Sequence, residues 1–224
     1  MLERTGGLIR DYGFVARSRW RSIRVGMAPP APGAGLKAPV LLIPGVFETW
    51  HYLEALGERL AAEGHAVHYL ERLGLNREPI GETAALVQEH LDELDLRDVV
   101  IVGHSKGGLI GKHMLTVDDR DERIARLIAI NTPFPGSPLA RYAVSAWREF
   151  APDRPVIRTL AQATEVNARI VSIYSAFDQY IPGSSRLDGA TNVELPLVGH
   201  FRVLEDPMLL DEVARWAAEP APRS

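Results

Sequence analysis

The stretch Val99-Val100-Ile101-Val102-Gly103-His104-Ser105-Lys106-Gly107-Gly108-Leu109-Ile110-Gly111-Lys112-His113-Met114-Leu115 decides the fold. Its opening run of β-branched residues reads as a strand buried on both faces. Gly103–Gly107 follows as Gly-x-Ser-x-Gly, and residues 108–115 read as a helix. A strand that turns straight into a helix brings the two segments very close around the serine. Glycine at 103 and 107 removes the Cβ atoms that would collide there. The pentapeptide is common in loops, and the strand before it and helix after it give it meaning. In that setting the turn leaves the Ser105 hydroxyl exposed at a sheet edge.

Outward from this point, short apolar runs alternate with amphipathic segments. Pro39–Ile43, Ala66–Leu70, Ile124–Ile130, Ala168–Tyr174 and Thr191–Leu195 read as further strands. Tyr52–Ala62, Thr83–Leu94 and Met208–Ala217 read as helices, the first closed by Gly64. Alternation of this kind predicts a mainly parallel central sheet covered by helices on both faces, an α/β architecture. Residues 28–39 are rich in proline and glycine and separate an N-terminal arm (1–38) from a body (39–218). The last residues, 219–224, read as a frayed tail. Residues 132–165 are longer than a simple crossover requires. They carry Pro133, Pro135 and Pro138 and then Leu139, Tyr142, Val144, Trp147 and Phe150. Two readings stand side by side, a small cap over the sheet edge and an ordinary helix whose aromatics are core.

A serine hydroxyl needs a base, and the base needs an orienting acid. Downstream of Ser105 the histidines are His113, which lies two turns along the helix and points away, and His200. His200 sits in Leu197-Val198-Gly199-His200-Phe201, after the last strand, and is the expected base. Asp178 follows the strand ending near Tyr174 and is the expected acid, ahead of Asp188 and Asp153. A tetrahedral oxyanion needs paired N–H donors. Lys106, next to the serine, supplies one. Val46, in the Pro44-Gly45-Val46-Phe47 loop after the first body strand, supplies the other. Phe47, Phe134, Leu139 and Trp147 are the expected substrate-contacting residues.

Gly103–Gly107, the Pro44–Phe47 loop, Asp178 and Gly199-His200 together resemble an α/β-hydrolase of the lipase/esterase type. Asn131-Thr132-Pro133-Phe134-Pro135-Gly136-Ser137 is also similar to the Thr-Pro-x-x-Gly-Ser segment of bacterial triacylglycerol lipases. The resemblance covers roughly residues 39–218. It implies a Ser-His-Asp triad, an acyl-enzyme intermediate and a lipid-like carboxylic ester as substrate, without a cofactor. It leaves open a thioesterase or acyltransferase with the same triad, and a non-catalytic lipid-binding module. Two departures from the pattern stand out. No leader is visible, where such lipases are mostly secreted. Lysine at 106 puts a cation in the first turn of a helix, against the macrodipole. Pairing with an acidic neighbour such as Glu48 is the expected remedy, ahead of a role in holding an anionic substrate. His104 is expected to pack and to take no catalytic part.

Composition fits a globular enzyme, with 46% hydrophobic and 24% charged residues and no cysteine. No metal-ligand spacing or phosphate-binding loop is present. His65 and His68, on one strand, are expected to face opposite sides. The N-terminal residues lack the apolar core of a signal peptide, and the expected location is the cytoplasm. Net charge is −4, yet residues 1–37 hold seven Lys/Arg against Glu3 and Asp11. Tyr12, Phe14, Trp20 and Ile23 are interleaved with these charges. Two uses of this arm follow: packing on the acidic body, which is favoured, or weak contact with an anionic membrane surface. No nucleic-acid partner is expected.

Overall fold

The computed structural model describes residues 2–220 apart from 120 and 144. Val144 and tail residues 221–224 therefore lie outside the described residues. Six strands form one sheet: β1 (Lys37–Ile43), β2 (His65–Tyr69), β3 (Val99–His104), β4 (Ile124–Ile130), β5 (Ile170–Phe177) and β6 (Thr191–Val198). Their order is β2-β1-β3-β4-β5-β6, and every neighbouring pair is parallel. Parallel pairing buries both faces, which is why β3 and β4 are almost uniformly apolar.

The helices are α1 (Leu2–Val25), α2 (Glu54–Ala62), α3 (Ile80–Glu93), α4 (Lys106–His113), α5 (Pro155–Gln162) and α6 (Pro207–Ala218). Two apolar layers follow from the pleat. Leu41, Ile43, Val99, Ile101, Leu127 and Ala129 pack with α3, α4 and α5. Val40, Leu42, Val100, Val102, Ile128 and Ile130 point the other way, onto α2 and α6, with Phe14 of α1. Alternate residues of one strand thus serve opposite layers.

The expected helix over Tyr52–Ala62 is divided: a 3-10 turn, Trp50–Leu53, precedes α2. The elbow helix ends at His113 and runs into a π-helical turn, Met114–Asp118. His65 and His68 do face opposite ways. His65 Nδ1 lies 2.7 Å from the Ala38 carbonyl, while the His68 ring sits 5.5 Å from that of His90 on α3.

Two regions take forms that the sequence reading left open. The arm is a single 24-residue helix. It docks through Asp11, Phe14 and Ser18, all buried, and through Gly7, where a Cβ would lie 2.6 Å from Val198 Cγ1. Its arginines do pair with the body at Glu205 and Glu54, as packing requires. Its apolar residues do not all follow: Tyr12, Trp20 and Ile23 are exposed. Pro138–Tyr142 and Ser145–Phe150 form 3-10 turns ahead of α5. Phe150, Ile157 and Leu160 are core, whereas Leu139 and Tyr142 are exposed.

Strand order reverses between β1 and β3, since β2 lies to one side and β4–β6 to the other. The loops leaving β1 and β3 diverge there, at the carboxyl edge of the sheet. The loop after β1 holds Val46, and the turn after β3 holds Ser105.

Candidate active site

Ser105 has φ 51° and ψ −115°, a conformation costly for any residue with a Cβ. Neighbouring contacts hold it there. Ser105 N donates to the Ile130 carbonyl at 2.8 Å, and Gly108 N donates back to the Ser105 carbonyl at 3.1 Å. A Cβ on Gly103 would lie 2.4 Å from the Gly107 carbonyl carbon, and one on Gly107 would lie 2.1 Å from the Ile43 carbonyl oxygen. Both glycines are therefore demanded by strand, turn and helix crossing at contact distance.

Asp178 and His200 come together. Asp178 Oδ2 lies 2.6 Å from His200 Nδ1, while its Oδ1 accepts from the N–H groups of Tyr180 and Ile181 at 2.8 and 3.2 Å. A carboxylate held by donors on both oxygens fixes the imidazole with hydrogen on Nδ1 and a lone pair on Nε2. Burial disfavours the imidazolium, but the Asp178 carboxylate, helped by Glu48 and Asp11, outweighs it. The His200 pKa is raised above 6.5. Among the described residues no hydrogen bond joins Ser105 Oγ to His200, a contact that commonly tightens only with substrate bound. The residue before the serine does reach the base: the His104 and His200 rings are 4.7 Å apart.

Three buried polar arrangements whose partners the sequence reading did not identify hold the loops in place. His104 Nδ1 lies 2.9 Å from both oxygens of Glu48, and its Nε2 lies 3.0 Å from the His200 carbonyl. Glu48 Oε2 also accepts from Gly45 N at 2.8 Å. Both nitrogens of His104 thus face oxygen, and the Glu48–His104 pair is buried. It bridges the Pro44–Phe47 loop to the loop of the base. Glu48, His104 and His200 bring their ligand atoms within 4.8 Å of one another, but these contacts already engage them, with Asp178 on His200 Nδ1. Asn131 donates from Nδ2 to the carbonyls of Gly199 and His200 and accepts on Oδ1 from Ser175 N. Asp11 of α1 accepts from the N–H groups of Phe201 and Arg202, each at 2.8 Å, and from Gln179 Nε2 at 2.6 Å. One carboxylate thus braces the loops of both acid and base. No local pattern marks Asp11, because its partners lie far away along the chain.

Lys106 does not pair with Glu48, which His104 already occupies. Its buried Nζ donates to the backbone carbonyls of Asn76, at 3.1 Å, and Glu78. Burial lowers its pKa to about 8 against the fields of Glu149 and Glu78. The side chain therefore points into the 76–78 turn, while its N–H stays at the start of α4. In the facing loop, Gly45 N is taken by Glu48 and Phe47 N donates to the Leu75 carbonyl at 2.7 Å. Val46 N lies between them with no partner among the described residues.

Of the expected substrate contacts, Trp147 reaches the base through Tyr180. Its ring lies 5.9 Å from that of Tyr180, which lies 5.3 Å from His200. Phe47, at φ 62°, is half-buried with the Arg77 guanidinium 5.2 Å from its ring centre. Phe134 is buried elsewhere, in the wall of a cavity of about 400 Å³ beside Lys112, and Leu139 is 57% exposed. Neither is brought to the Asp178–His200 pair.

Comparison with known proteins bears on the fold. Aspergillus fumigatus lipase B superposes with a TM-score of 0.71 at 19% identity, covering 88% of this chain and 56% of that one. The mature form of Bacillus licheniformis lipase BlEst2 gives 0.66 at 15% identity, covering 85% and 96%. A monoacylglycerol lipase of Paleococcus ferrophilus gives 0.59 at 15%, covering 81% and 96%. At these identities the likeness is one of fold. A family model described as the alpha/beta hydrolase fold matches residues 38–165, more than half of the chain. With its parallel sheet, its strained serine elbow and its Asp–His pair in the strand-end loops, the chain belongs to the α/β-hydrolase fold family.

Proposed function

We propose that this protein is a serine hydrolase of carboxylic esters with lipid-like acyl groups. The observation that carries the reading is the buried Asp178–His200 hydrogen bond at 2.6 Å, set in loops at the same sheet edge as the strained Ser105 turn. Ser105 Oγ attacks the ester carbonyl carbon, and its proton passes to His200 Nε2. Asp178 stabilises the resulting imidazolium and keeps its orientation. The tetrahedral oxyanion accepts from the N–H groups of Val46 and Lys106. The C–O bond to the alcohol then breaks, and His200 returns the proton to the leaving oxygen. Water, deprotonated by the same imidazole, attacks the acyl-serine and releases the carboxylic acid. Phe201 and Tyr180 border His200, with Trp147 beyond Tyr180, and this aromatic surface favours an apolar acyl group.

Lys106 Nζ, engaged by the carbonyls of Asn76 and Glu78, gives no support to an anionic carrier-bound thioester as substrate.

Intact-mass detection of fluorophosphonate labelling tests the proposal. One adduct is expected on the native protein and none on Ser105→Ala, with ester turnover falling by about 10⁴-fold or more in the variant. Absence of an adduct on the native protein, or persistence of one on the variant, would exclude Ser105 as the nucleophile.

A further inference from the structure

Helix α1 has two faces, and the fold uses one. Gly7, Asp11, Phe14 and Ser18 point at the body. On the other side Ile9, Tyr12, Trp20 and Ile23 are 69%, 58%, 55% and 82% exposed, with Ala16 exposed between them. Positions 9, 12, 16, 20 and 23 follow the i+3/i+4 spacing of one helical stripe and lie within about 80° of each other around the axis. Large apolar residues on a solvent face are ordinary when scattered, but a continuous stripe of them marks an interaction surface.

Charge identifies what the stripe meets. Arg10, Arg17, Arg21 and Arg24 run along one flank of it, and Arg19 lies on the other. Arg17 and Arg21 pair with Glu205 and Glu54. Arg10, Arg19 and Arg24 have no acidic partner among the described residues, and the Arg24 guanidinium lies 4.5 Å from the Trp20 ring centre. The acidic residue in mid-helix, Asp11, is buried on the inner face. An apolar stripe edged by arginine, with an indole among its members, is the pattern of a helix that lies in a lipid headgroup layer. No helix of the described residues is long and apolar enough to cross a membrane.

We propose that α1 docks this protein on an anionic lipid surface, with Ile9, Tyr12, Trp20 and Ile23 entering the interface and the arginines facing lipid phosphates. This goes beyond the hydrolase reading and does not require it. The same helix is tied to the candidate site. Asp11 braces the loops of Asp178 and His200, and Tyr12 lies within electrostatic reach of Tyr180. A lipid surface against the stripe thus lies one side chain away from Tyr180, whose ring borders His200.

The test is co-sedimentation of the full chain with vesicles, carried out on Ser105→Ala so that hydrolysis plays no part. Binding is expected to vesicles of phosphatidylcholine and phosphatidylglycerol in equal parts, to weaken with added salt, and to be far weaker on phosphatidylcholine alone. Trp20→Glu/Ile23→Glu should reduce it by about tenfold or more while circular dichroism shows an intact fold, since both side chains are exposed. Failure to bind the mixed vesicles, equal binding to both compositions, or undiminished binding of the double variant would each overturn the proposal. So would an ultracentrifugation result in which the native chain is a dimer and the double variant a monomer, because the stripe would then be an interface between copies. Fluorophosphonate labelling does not depend on any of these results.

Discussion

At the scale of single residues, the decisive contact is the short hydrogen bond between Asp178 and His200. It sets the tautomer that leaves Nε2 free to take a proton, and it works against the burial that would otherwise lower the His200 pKa. Since the imidazole acts as a base only when neutral, kcat/KM should rise with pH through a midpoint above 6.5. Asp178→Asn should lower kcat by about 10⁴-fold and move the midpoint down, because burial then acts with less opposition. A pH–rate series on a soluble chromogenic ester reads both effects. A flat profile in the native protein, or an unmoved midpoint in the variant, would remove His200 from the role of base. Ser105, His200 and Asp178 could be picked out from the sequence because each follows a readable strand. Val46 and Lys106 are expected donors only from their places beside the first strand and the elbow. The course of the Lys106 side chain was not readable: Asn76 and Glu78 are remote in sequence, and only folding lays their carbonyls over it.

At the scale of elements, α1 is what the residue pattern conceals. Apolar residues lie on both its faces, so no single stripe announces a helix, and Gly6, Gly7 and Gly13 lower its propensity. In the fold it braces the site, with the Asp11 carboxylate accepting from Phe201 N, Arg202 N and Gln179 Nε2. Asp11→Ala leaves those donors without the carboxylate. A loss of about 1.5–3 kcal/mol is expected, as for other charge-assisted hydrogen bonds. Urea denaturation measures it. The loops of acid and base should also loosen, lowering kcat more than it raises KM. An unchanged kcat in a folded Asp11→Ala protein would confine this residue to stability. The 132–165 segment shows the opposite behaviour. Its residues were legible as apolar, but composition did not reveal which would be core (Phe150, Ile157) and which exposed (Leu139, Tyr142).

At the scale of the whole molecule, two lysines of α4 are fully buried, and burial lowers the pKa of each to about 8. Lys106 has carbonyl partners. Lys112 has no side-chain hydrogen bond or ion pair among the described residues; its Nζ lies 5.8 Å from the Phe134 ring centre, and the field of Glu165 assists it. A lysine that loses its proton more easily folded than unfolded makes the unfolded chain bind more protons between pH 8 and its ordinary 10.5. Stability should therefore rise across that window, and below it the full penalty applies, on the order of 3 kcal/mol. Lys112→Met keeps the volume and removes the charge. Its urea midpoint should exceed that of the native protein at neutral pH and climb less toward high pH. A lower midpoint at neutral pH would mean that the buried charge is compensated in the fold.

The sequence by itself determined the architecture, because strand and helix periodicities, punctuated by glycine and proline, are local properties. β4 was read to the residue, and the other strands to within a few positions at their ends. It determined the elbow as well, since only glycine fits where backbone meets backbone around Ser105. The tertiary structure decided everything that depends on residues distant along the chain. It joined Glu48 to His104 and Asn131 to the loop of the base, and it laid α1 over both loops through Asp11. The physical reason is that a buried polar group must find its partner wherever the fold puts one, and no local pattern specifies where that is.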